Sequence, residues 1–255
     1  MMRSRYAPTP SGFLHAGNLE NFRRVRRWMD ALRGEVVLRI DDMDGPRARP
    51  DYVAAIFEVL HREGLAWEIG PNSASELEAQ WSQRLRLDRY REALLNWGGS
   101  QLLFLCSCSR KDKVCACREN GLSQRALEPA LNQLLAGAAQ RQFALKLRVD
   151  EGIQRVWYDE EMGAIKVDLT KQLGDFVIWR KDGIPAYQWV SLIDDVDYGI
   201  THIVRGQDLL SSTAAQLWLS ELAGYSFDQV QFLHHPLVTD ENGQKLSKSV
   251  LSFGT

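Results

Sequence analysis

A loop near the start of the chain, Arg5 to Asn18, constrains the fold most strongly. Residues 3 to 7 have the composition of a short strand, and proline and glycine residues interrupt it before a helix that begins near Gly17. A strand, a Pro/Gly-rich turn and a helix N-terminus form an anion site, because free N–H groups and the positive helix end face the ligand. The loop therefore predicts a nucleotide-binding α/β protein, although it is equally typical of a structural turn.

Two sets of polar residues, near opposite ends of the chain, favour the nucleotide-binding interpretation. His15 lies in the first loop and is a donor that can follow charge onto a phosphate as a transition state forms. Lys245 and Lys248 lie near the C-terminal end, with small hydroxyl residues beside them, and suit a triphosphate whose charge must be stabilised during transfer. The alternative for the lysines is a solvated basic loop. Because both motifs occur in one chain, we interpret all three side chains as catalytic.

The order of strands and helices predicts a doubly wound parallel sheet. The segment from Glu35 to Ile40 is apolar enough for an internal strand, and it ends at Asp41. Ligands of open α/β sheets bind at the carboxyl ends of the strands, so we expect Asp41 to hold the α-ammonium of an amino acid. An acidic turn that caps a helix is the alternative.

Two arginines and a tyrosine complete a pocket for an acidic amino acid. Such a ligand has two carboxylates and one ammonium, which Arg5, Arg205, Tyr187 and Asp41 would complement. A glutamine ligand would leave one buried arginine unpaired, at a cost on the order of 3–5 kcal/mol. The alternative for each arginine is a surface ion pair. Thr9, in the first loop, is a fifth candidate for this pocket, and the histidines other than His15 have no motif context and are interpreted as structural.

All four cysteines lie within one short segment of the chain. Clustered cysteines in a reducing compartment favour a metal site over disulfides, and four thiolates suit structural zinc in a closed tetrahedral site. Four free thiols are the alternative. The candidate zinc ligands are Cys106, Cys108, Cys115 and Cys117.

Length and charge limit the remaining classes of function. A chain of 255 residues allows one large domain or a domain with an insertion. Its formal net charge of −2 excludes a polycation, so any nucleic-acid surface must be local. We expect a cytoplasmic protein without a membrane span, because no apolar run approaches about 20 residues and the N-terminus lacks an apolar signal core.

The two motifs resemble the signatures of the class I aminoacyl-tRNA synthetases. The first corresponds to His15-Ala16-Gly17-Asn18, and the second corresponds to Lys245–Ser249. The run from Gly174 to Gln216 is similar to the catalytic core of glutamyl-tRNA synthetases. Three positions depart from the family's commonest residues. Asn18 stands in place of a second histidine, Asp41 in place of glutamate and Ser191 in place of asparagine.

The resemblance implies a set of substrates and site residues. The substrates are L-glutamate and ATP with Mg²⁺. The residues that match the family's ATP-binding motifs are His15, Gly17, Asn18, Lys245 and Lys248. Related glutamyl enzymes carry a zinc-binding element, opened by a C-x-C pair, at the position of Cys106 and Cys108. We expect this zinc to be structural and to hold an insertion that receives the end of a tRNA.

The implied architecture is a Rossmann-like class I catalytic core with a zinc-stapled α+β insertion and no anticodon-binding domain. We expect the core to comprise residues 1–100 and 186–238, the insertion to comprise residues 101–185, and residues 239–255 to hold the lysine-containing loop. Full-length glutamyl-tRNA synthetases continue into a helical domain that reads the anticodon, which this sequence is expected to lack.

Within the family, the chain resembles the glutamyl-queuosine tRNA(Asp) synthetases. The resemblance implies a monomeric enzyme that activates glutamate as the adenylate and transfers it to the queuosine base of tRNA(Asp). Three alternatives stay open at this point. They are the catalytic core of an ordinary glutamyl-tRNA synthetase that charges a tRNA 3′ end, a nucleotidyltransferase that makes a small metabolite, and a non-catalytic tRNA-binding relative.

Overall fold

The computed structural model describes residues 1–97, 101–108, 115–136 and 143–237. The first elements form a β–α–β unit of β1 (Arg3–Tyr6), α1 (Ala16–Leu32) and β2 (Glu35–Leu38). The two strands pair in parallel from Arg3 opposite Glu35 to Tyr6 opposite Leu38. This unit is the beginning of the parallel sheet that the sequence predicts.

Helix α1 forms because its apolar residues recur at helical spacing. Phe22, Val25 and Met29 are buried on one face, whereas Leu32, the last residue of the helix, is 39% exposed. The helix ends at Arg33, whose φ of 52° is left-handed, and the chain then enters β2 through Gly34.

Three α-helices follow β2, together with short 3₁₀ and π-helical turns. The helices are α2 (Pro50–Arg62), α3 (Ala74–Glu76) and α4 (Leu87–Trp97). A π-helical turn over Leu77–Trp81 and a 3₁₀ turn over Gln83–Arg86 separate the last two. The 3₁₀ turn directly precedes α4, and the Ser82 hydroxyl accepts from the N–H of Arg84 at its start.

The middle of the chain contains five strands and two helices. They are β3 (Leu103–Cys106), α5 (Gln124–Leu135), β4 (Ala144–Leu147), β5 (Gln154–Asp159), β6 (Gly163–Asp168), α6 (Leu169–Gln172) and β7 (Phe176–Trp179). Strands β3, β4 and β7 form an antiparallel sheet in that order. A turn at Gly183 follows β7, and the segment beyond it makes an isolated bridge between Trp179 and Pro185.

The second half of the parallel core consists of four elements. They are α7 (Tyr187–Asp197), β8 (His202–Gly206), α8 (Leu210–Ala223) and β9 (Gln231–His235). Strands β8 and β9 pair in parallel, and β1 lies beside the start of β8, because Thr201 N donates to Arg3 O at 2.9 Å. The two β–α–β units thus meet edge to edge, and the predicted Rossmann-like core is confirmed.

The antiparallel hairpin of β5 and β6 extends this sheet, in the order β6-β5-β9-β8. It joins the parallel strands through the pairing of Asp159 with Phe232. The sequence analysis assigns this hairpin to the insertion, whereas the structure makes it continuous with the sheet of the core. The wholly buried indole of Trp189 ties α7 to α4 by donating to Tyr90 O at 3.0 Å. No helix in the described part of the chain is long and apolar enough to cross a membrane.

A glycine beside β2 provides a test of this packing. Gly70 has a φ of 125°, and a Cβ there would lie 2.4 Å from the carbonyl oxygen of Leu38. Gly64 also has a positive φ, of 65°, but a Cβ there meets no atom within 4 Å. We expect Gly70→Ala to lower the free energy of unfolding by about 3 kcal/mol or more, and Gly64→Ala by about 1 kcal/mol, in urea denaturation. Equal losses would contradict the close approach of Gly70 to β2.

Candidate active site

A cavity of about 240 Å³ opens at the carboxyl ends of β1, β8 and β9, beside the start of α1. Most of the residues predicted to bind glutamate or ATP, among those described, line it. They are Arg5, His15, Gly17, Asn18, Tyr187 and Arg205. Asn21 and His235 line it as well, although the sequence analysis assigns them no functional role. The cavity therefore unites the first loop with strand ends from the second half of the chain.

The start of α1 is built by a reciprocal cap. His15 Nδ1 accepts from the N–H of Gly17 at 3.1 Å, and the side-chain oxygen of Asn18 accepts from the N–H of His15 at 3.0 Å. The helix begins at Ala16, slightly before the predicted start, because this cap fixes His15 as the N-cap residue. Asn18 thus has a structural role in the cap of α1.

A buried carboxylate beneath the cavity joins three arginines. Asp195, on α7, accepts from Arg5 Nε at 3.0 Å and from Arg39 Nη1 at 2.7 Å, and Arg205 Nη2 lies 3.8 Å away. Burial disfavours the charged form, but Arg5, Arg39 and Arg205 together hold the pKa of Asp195 below its ordinary value. Asp195 is therefore ionised, and it anchors the cationic wall of the cavity.

Arg39 is a residue that the sequence analysis does not single out. It follows β2 and is 3% exposed, and it donates to Asp41 through Nε at 2.7 Å and through Nη2 at 3.2 Å. Its Nη2 also donates to the Ser191 hydroxyl at 3.2 Å. A charged residue within an apolar strand sequence was the available signal, because a buried guanidinium must have partners.

Two predicted glutamate ligands lie outside the cavity lining. The carboxylate of Asp41 is held by Arg39 and by Gln83 Nε2, which donates to it at 3.2 Å. Burial raises the pKa of Asp41. Thr9 is exposed, and its carbonyl accepts from Ser11 N at 2.8 Å. The structure thus brings Arg5, Tyr187 and Arg205 together without these two side chains.

Arg205 is a cation at the cavity wall with unused hydrogen-bonding capacity. It is 2% exposed, and its Nη1 donates to the Thr213 hydroxyl at 3.0 Å. Its Nε and Nη2 have no hydrogen-bond partner among the described residues. Burial lowers the pKa of Arg205 to about 10, so the guanidinium is still charged at neutral pH. A buried charge with free donors at a cavity wall is a site for an anion.

A second carboxylate of α7 extends the polar network toward α4. Asp194 accepts from the Tyr90 hydroxyl and from Gln83 Nε2, each at 2.8 Å, and Arg86 Nε lies 3.3 Å away. Burial raises the pKa of Asp194 to about 6 despite these donors. Because Gln83 contacts both Asp194 and Asp41, it links the two ends of the network.

The four cysteines converge as predicted. The Sγ of Cys115 lies 3.5 Å from that of Cys106 and 3.6 Å from that of Cys108, which is 3.7 Å from that of Cys117. A zinc–sulfur bond of about 2.3 Å gives sulfur–sulfur distances of about 3.8 Å in a tetrahedron, so the four atoms fit this metal. The backbone N–H and the hydroxyl of Ser107 lower the pKa of Cys117 to about 7, which favours a thiolate ligand.

Lys181, which follows β7, hydrogen-bonds to the backbone of the segment that carries the cysteines. Its Nζ donates to the carbonyl oxygens of Ser107 at 2.6 Å and of Cys108 at 3.2 Å. The remaining predicted catalytic residues, Lys245 and Lys248, lie outside the described residues.

Comparison with protein families assigns the chain to the class I aminoacyl-tRNA synthetases. The model of the family described as "tRNA synthetases class I (E and Q), catalytic domain" matches residues 1–253. Because the match spans nearly the whole sequence, the chain belongs to this family, and it is a ligase.

Within the class I synthetases, the chain is similar to glutamyl-Q tRNA(Asp) synthetases. The chain is 38% identical to the glutamyl-Q tRNA(Asp) synthetase of Pseudomonas putida (strain W619) over 250 residues, which are 97% of the chain and 77% of that protein. It is 39% identical to the glutamyl-Q tRNA(Asp) synthetase of Pseudomonas entomophila (strain L48), with the same coverage. The resemblance inferred from the motifs is therefore confirmed.

Solved structures share the fold. The glutamate-tRNA synthetase from Elizabethkingia anophelis has a TM-score of 0.77 and is 23% identical, with 97% of this chain and 52% of that chain covered. A glutamate tRNA ligase from Elizabethkingia meningosepticum, in complex with its amino acid, gives a TM-score of 0.76 at 23% identity. At 23% sequence identity, this similarity shows a shared fold.

The raised pKa of Asp194 predicts a pH dependence of stability. The folded state keeps a proton that the unfolded state loses between about pH 4 and pH 6, so the free energy of unfolding falls as pH rises through this window. We expect Asp194→Asn to flatten the profile by about 1–3 kcal/mol, measured by urea denaturation at pH 4 and pH 7. Tyr90→Phe removes a donor to the ionised carboxylate and should move the window to higher pH. Identical profiles for the wild type and Asp194→Asn would contradict the assignment.

Proposed function

We propose that this ligase activates L-glutamate with ATP and transfers it to the queuosine base of tRNA(Asp). The observation that carries the glutamate assignment is the buried guanidinium of Arg205, which has unpartnered donors at the cavity wall. The tRNA assignment is supported by relatives whose names specify glutamyl-Q tRNA(Asp).

The charges around the cavity match an acidic amino acid. We propose that Arg5, Arg205 and the Tyr187 hydroxyl bind the glutamate carboxylates, with Thr9 closing the site from the first loop. Among the described residues, Nε and Nη2 of Arg205 have no hydrogen-bond partner, and Arg5 pairs with Asp195 through Nε. A neutral glutamine side chain would leave a buried cation without its anion, which is costly.

Asp41 is the proposed partner of the substrate ammonium. Arg39 donates to both of its oxygens and Gln83 Nε2 donates to one of them, which leaves part of the acceptor capacity of about four lone pairs for a further donor. Because Asp41 lies outside the cavity lining, a glutamate that reaches it must extend from Arg205 toward the end of β2. This arrangement would hold the two ends of the substrate on different strands.

ATP is proposed to bind at the start of α1. His15, Gly17 and Asn18 line the cavity there, and the positive end of the helix dipole favours the phosphates. Lys245 and Lys248 are proposed, from the sequence motif, to stabilise the leaving pyrophosphate, with Mg²⁺ bound by the nucleotide.

The chemistry then needs orientation and charge stabilisation more than a protein nucleophile. A carboxylate oxygen of glutamate attacks the α-phosphorus of ATP in line, and the bond to the bridging oxygen breaks to release pyrophosphate. A hydroxyl of the queuosine base then attacks the acyl carbon, its proton is lost, and AMP leaves. We propose that a monomer in the cytoplasm carries out both steps.

Zinc is the proposed ligand of Cys106, Cys108, Cys115 and Cys117. A site closed by four thiolates has no open position for a substrate, so the metal would supply folding energy rather than chemistry. We propose that it stabilises the part of the predicted insertion that holds the β3-β4-β7 sheet, and that this part receives part of the tRNA.

The acceptor is tested with labelled glutamate, ATP and tRNA from cells that contain or lack queuosine. A second pair of samples carries tRNA from which the 3′-terminal adenosine has been removed. We expect label only on queuosine-containing tRNA, whether or not its 3′ end is intact, because the proposed acceptor lies in the modified base. Label that ignores queuosine and requires the terminal adenosine would show instead that the chain charges the 3′ end.

The metal assignment is tested by zinc analysis of purified protein. We expect one zinc per chain in the wild type and loss of most of it in Cys108→Ser after dialysis, because a serine hydroxyl is a poor zinc ligand. Glu119→Ala, a change at an exposed residue two positions after Cys117, should retain the metal. A Cys108→Ser variant with full zinc content would rule out the four-thiolate site.

A further inference from the structure

A chain of buried hydrogen bonds leads away from the cavity behind Arg205. Arg205 Nη1 lies 3.0 Å from the Thr213 hydroxyl, which lies 2.8 Å from His234 Nε2. His234 Nδ1 in turn lies 2.6 Å from an oxygen of Asp159. Thr213, His234 and Asp159 are all fully buried, and they belong to α8, β9 and β5. The proposed roles of the site residues do not use any of these three side chains.

The hydrogen bonds of this series are all donated in one direction, from Arg205 toward Asp159. An ionised carboxylate can only accept, so His234 Nδ1 carries the proton that is donated to Asp159. In a neutral imidazole Nε2 then has a lone pair, which accepts the Thr213 hydroxyl hydrogen, while the Thr213 oxygen accepts from the Arg205 guanidinium. Burial lowers the pKa of His234, which agrees with a neutral imidazole.

Backbone groups fix Asp159, at the far end of this series of hydrogen bonds. Asp159 also accepts from the N–H groups of His234 at 3.0 Å, Glu161 at 3.1 Å and Met162 at 3.0 Å. The carboxylate therefore caps the turn between β5 and β6 while it orients the imidazole. A side chain with this many partners cannot rotate without breaking several hydrogen bonds.

The order of hydroxyl, imidazole and carboxylate is that of a nucleophile triad, but the surroundings exclude that role. Thr213 is 0% exposed, and its oxygen is occupied by the Arg205 donor. A nucleophile must have a lone pair directed toward the substrate, whereas the cavity lining includes Arg205 and not Thr213. These hydrogen-bonded side chains can act on the substrate only through the guanidinium of Arg205.

We propose that Thr213 and His234 are positioning residues that hold Arg205 in the orientation required to bind the glutamate carboxylate. This inference rests on the proposed glutamate site and adds two residues to it. Thr213 occupies one donor of Arg205, so the unpartnered Nε and Nη2 are left for the substrate. His234 fixes the Thr213 hydroxyl, and Asp159 fixes the His234 tautomer.

The kinetic test uses Thr213→Val, which keeps the shape of the side chain and removes the hydroxyl. In glutamate-dependent exchange of pyrophosphate into ATP, we expect the KM for glutamate to rise about tenfold, the loss expected for one hydrogen bond to a charged group. The KM for ATP should not change. Thr213→Ser restores the hydroxyl and should return the KM for glutamate to near the wild-type value.

A matched control separates positioning from general loss of packing. Ser220 lies on the same helix, is 1% exposed, and donates to Leu217 O at 2.7 Å. Ser220→Ala also removes a buried hydroxyl from α8, and it should leave the KM for glutamate unchanged. An unchanged KM for glutamate in Thr213→Val would overturn the proposal, as would an equal rise in the KM values for glutamate and ATP.

A second measurement does not depend on activity. Nitrogen-15 NMR of labelled wild-type protein at pH 7.5 should show His234 protonated at Nδ1 and unprotonated at Nε2. A proton on Nε2 would overturn the proposal even if Thr213→Val does not fold, because the Thr213 hydroxyl then has no acceptor. Wild-type protein with the expected tautomer but without glutamate-dependent exchange would reject the proposed function while the direction of the hydrogen-bond chain stands.

Discussion

The candidate site depends on the buried carboxylate of Asp195. It lies among guanidinium groups from three strands, because Arg5 is in β1, Arg39 follows β2 and Arg205 is in β8. Three such cations at one sheet edge would repel one another without it, and removal of one partner from a buried ion pair costs about 3–5 kcal/mol. The same contacts fix α7 across the sheet. Thus one residue both assembles the parallel core at this edge and permits a cationic wall to exist there.

The wall remains positive after its internal pairing is complete, which explains how a chain with a net charge of −2 builds an anion site. Asp195 is shared among the arginines, and Asp41 is paired with Arg39. Arg205 therefore keeps donors that no described side chain uses. Since the protein has already desolvated this charge, a carboxylate that enters the cavity gains a strong hydrogen-bonding partner without the cost of burying a new cation.

The sequence predicts local features well and distant polar partners poorly. Helical spacing of Phe22, Val25 and Met29 is visible within one segment, and so is the clustering of the cysteines. The partner of Arg39, in contrast, is 156 residues away at Asp195, and no local pattern specifies which acid a buried arginine will contact. The contact between Asp159 and His234 could not be predicted for the same reason, because the two residues are 75 positions apart. Asn18 was visible as a departure from the family motif, but its capping hydrogen bond to His15 required the geometry of the helix start.

Arg205 is held from two directions by parts of the chain that fold from different segments. Asp195 faces it from α7, and Thr213 accepts from it on α8, backed by His234 on β9 and Asp159 on β5. The hairpin of β5 and β6 pairs with the parallel core only through Asp159 and Phe232, so its contribution to the sheet ladder is small. Its contribution through the Asp159 carboxylate is larger, because that group terminates the hydrogen-bond chain behind the cavity. A hairpin that appears peripheral in the order of the strands therefore supports the orientation of the arginine at the centre of the site.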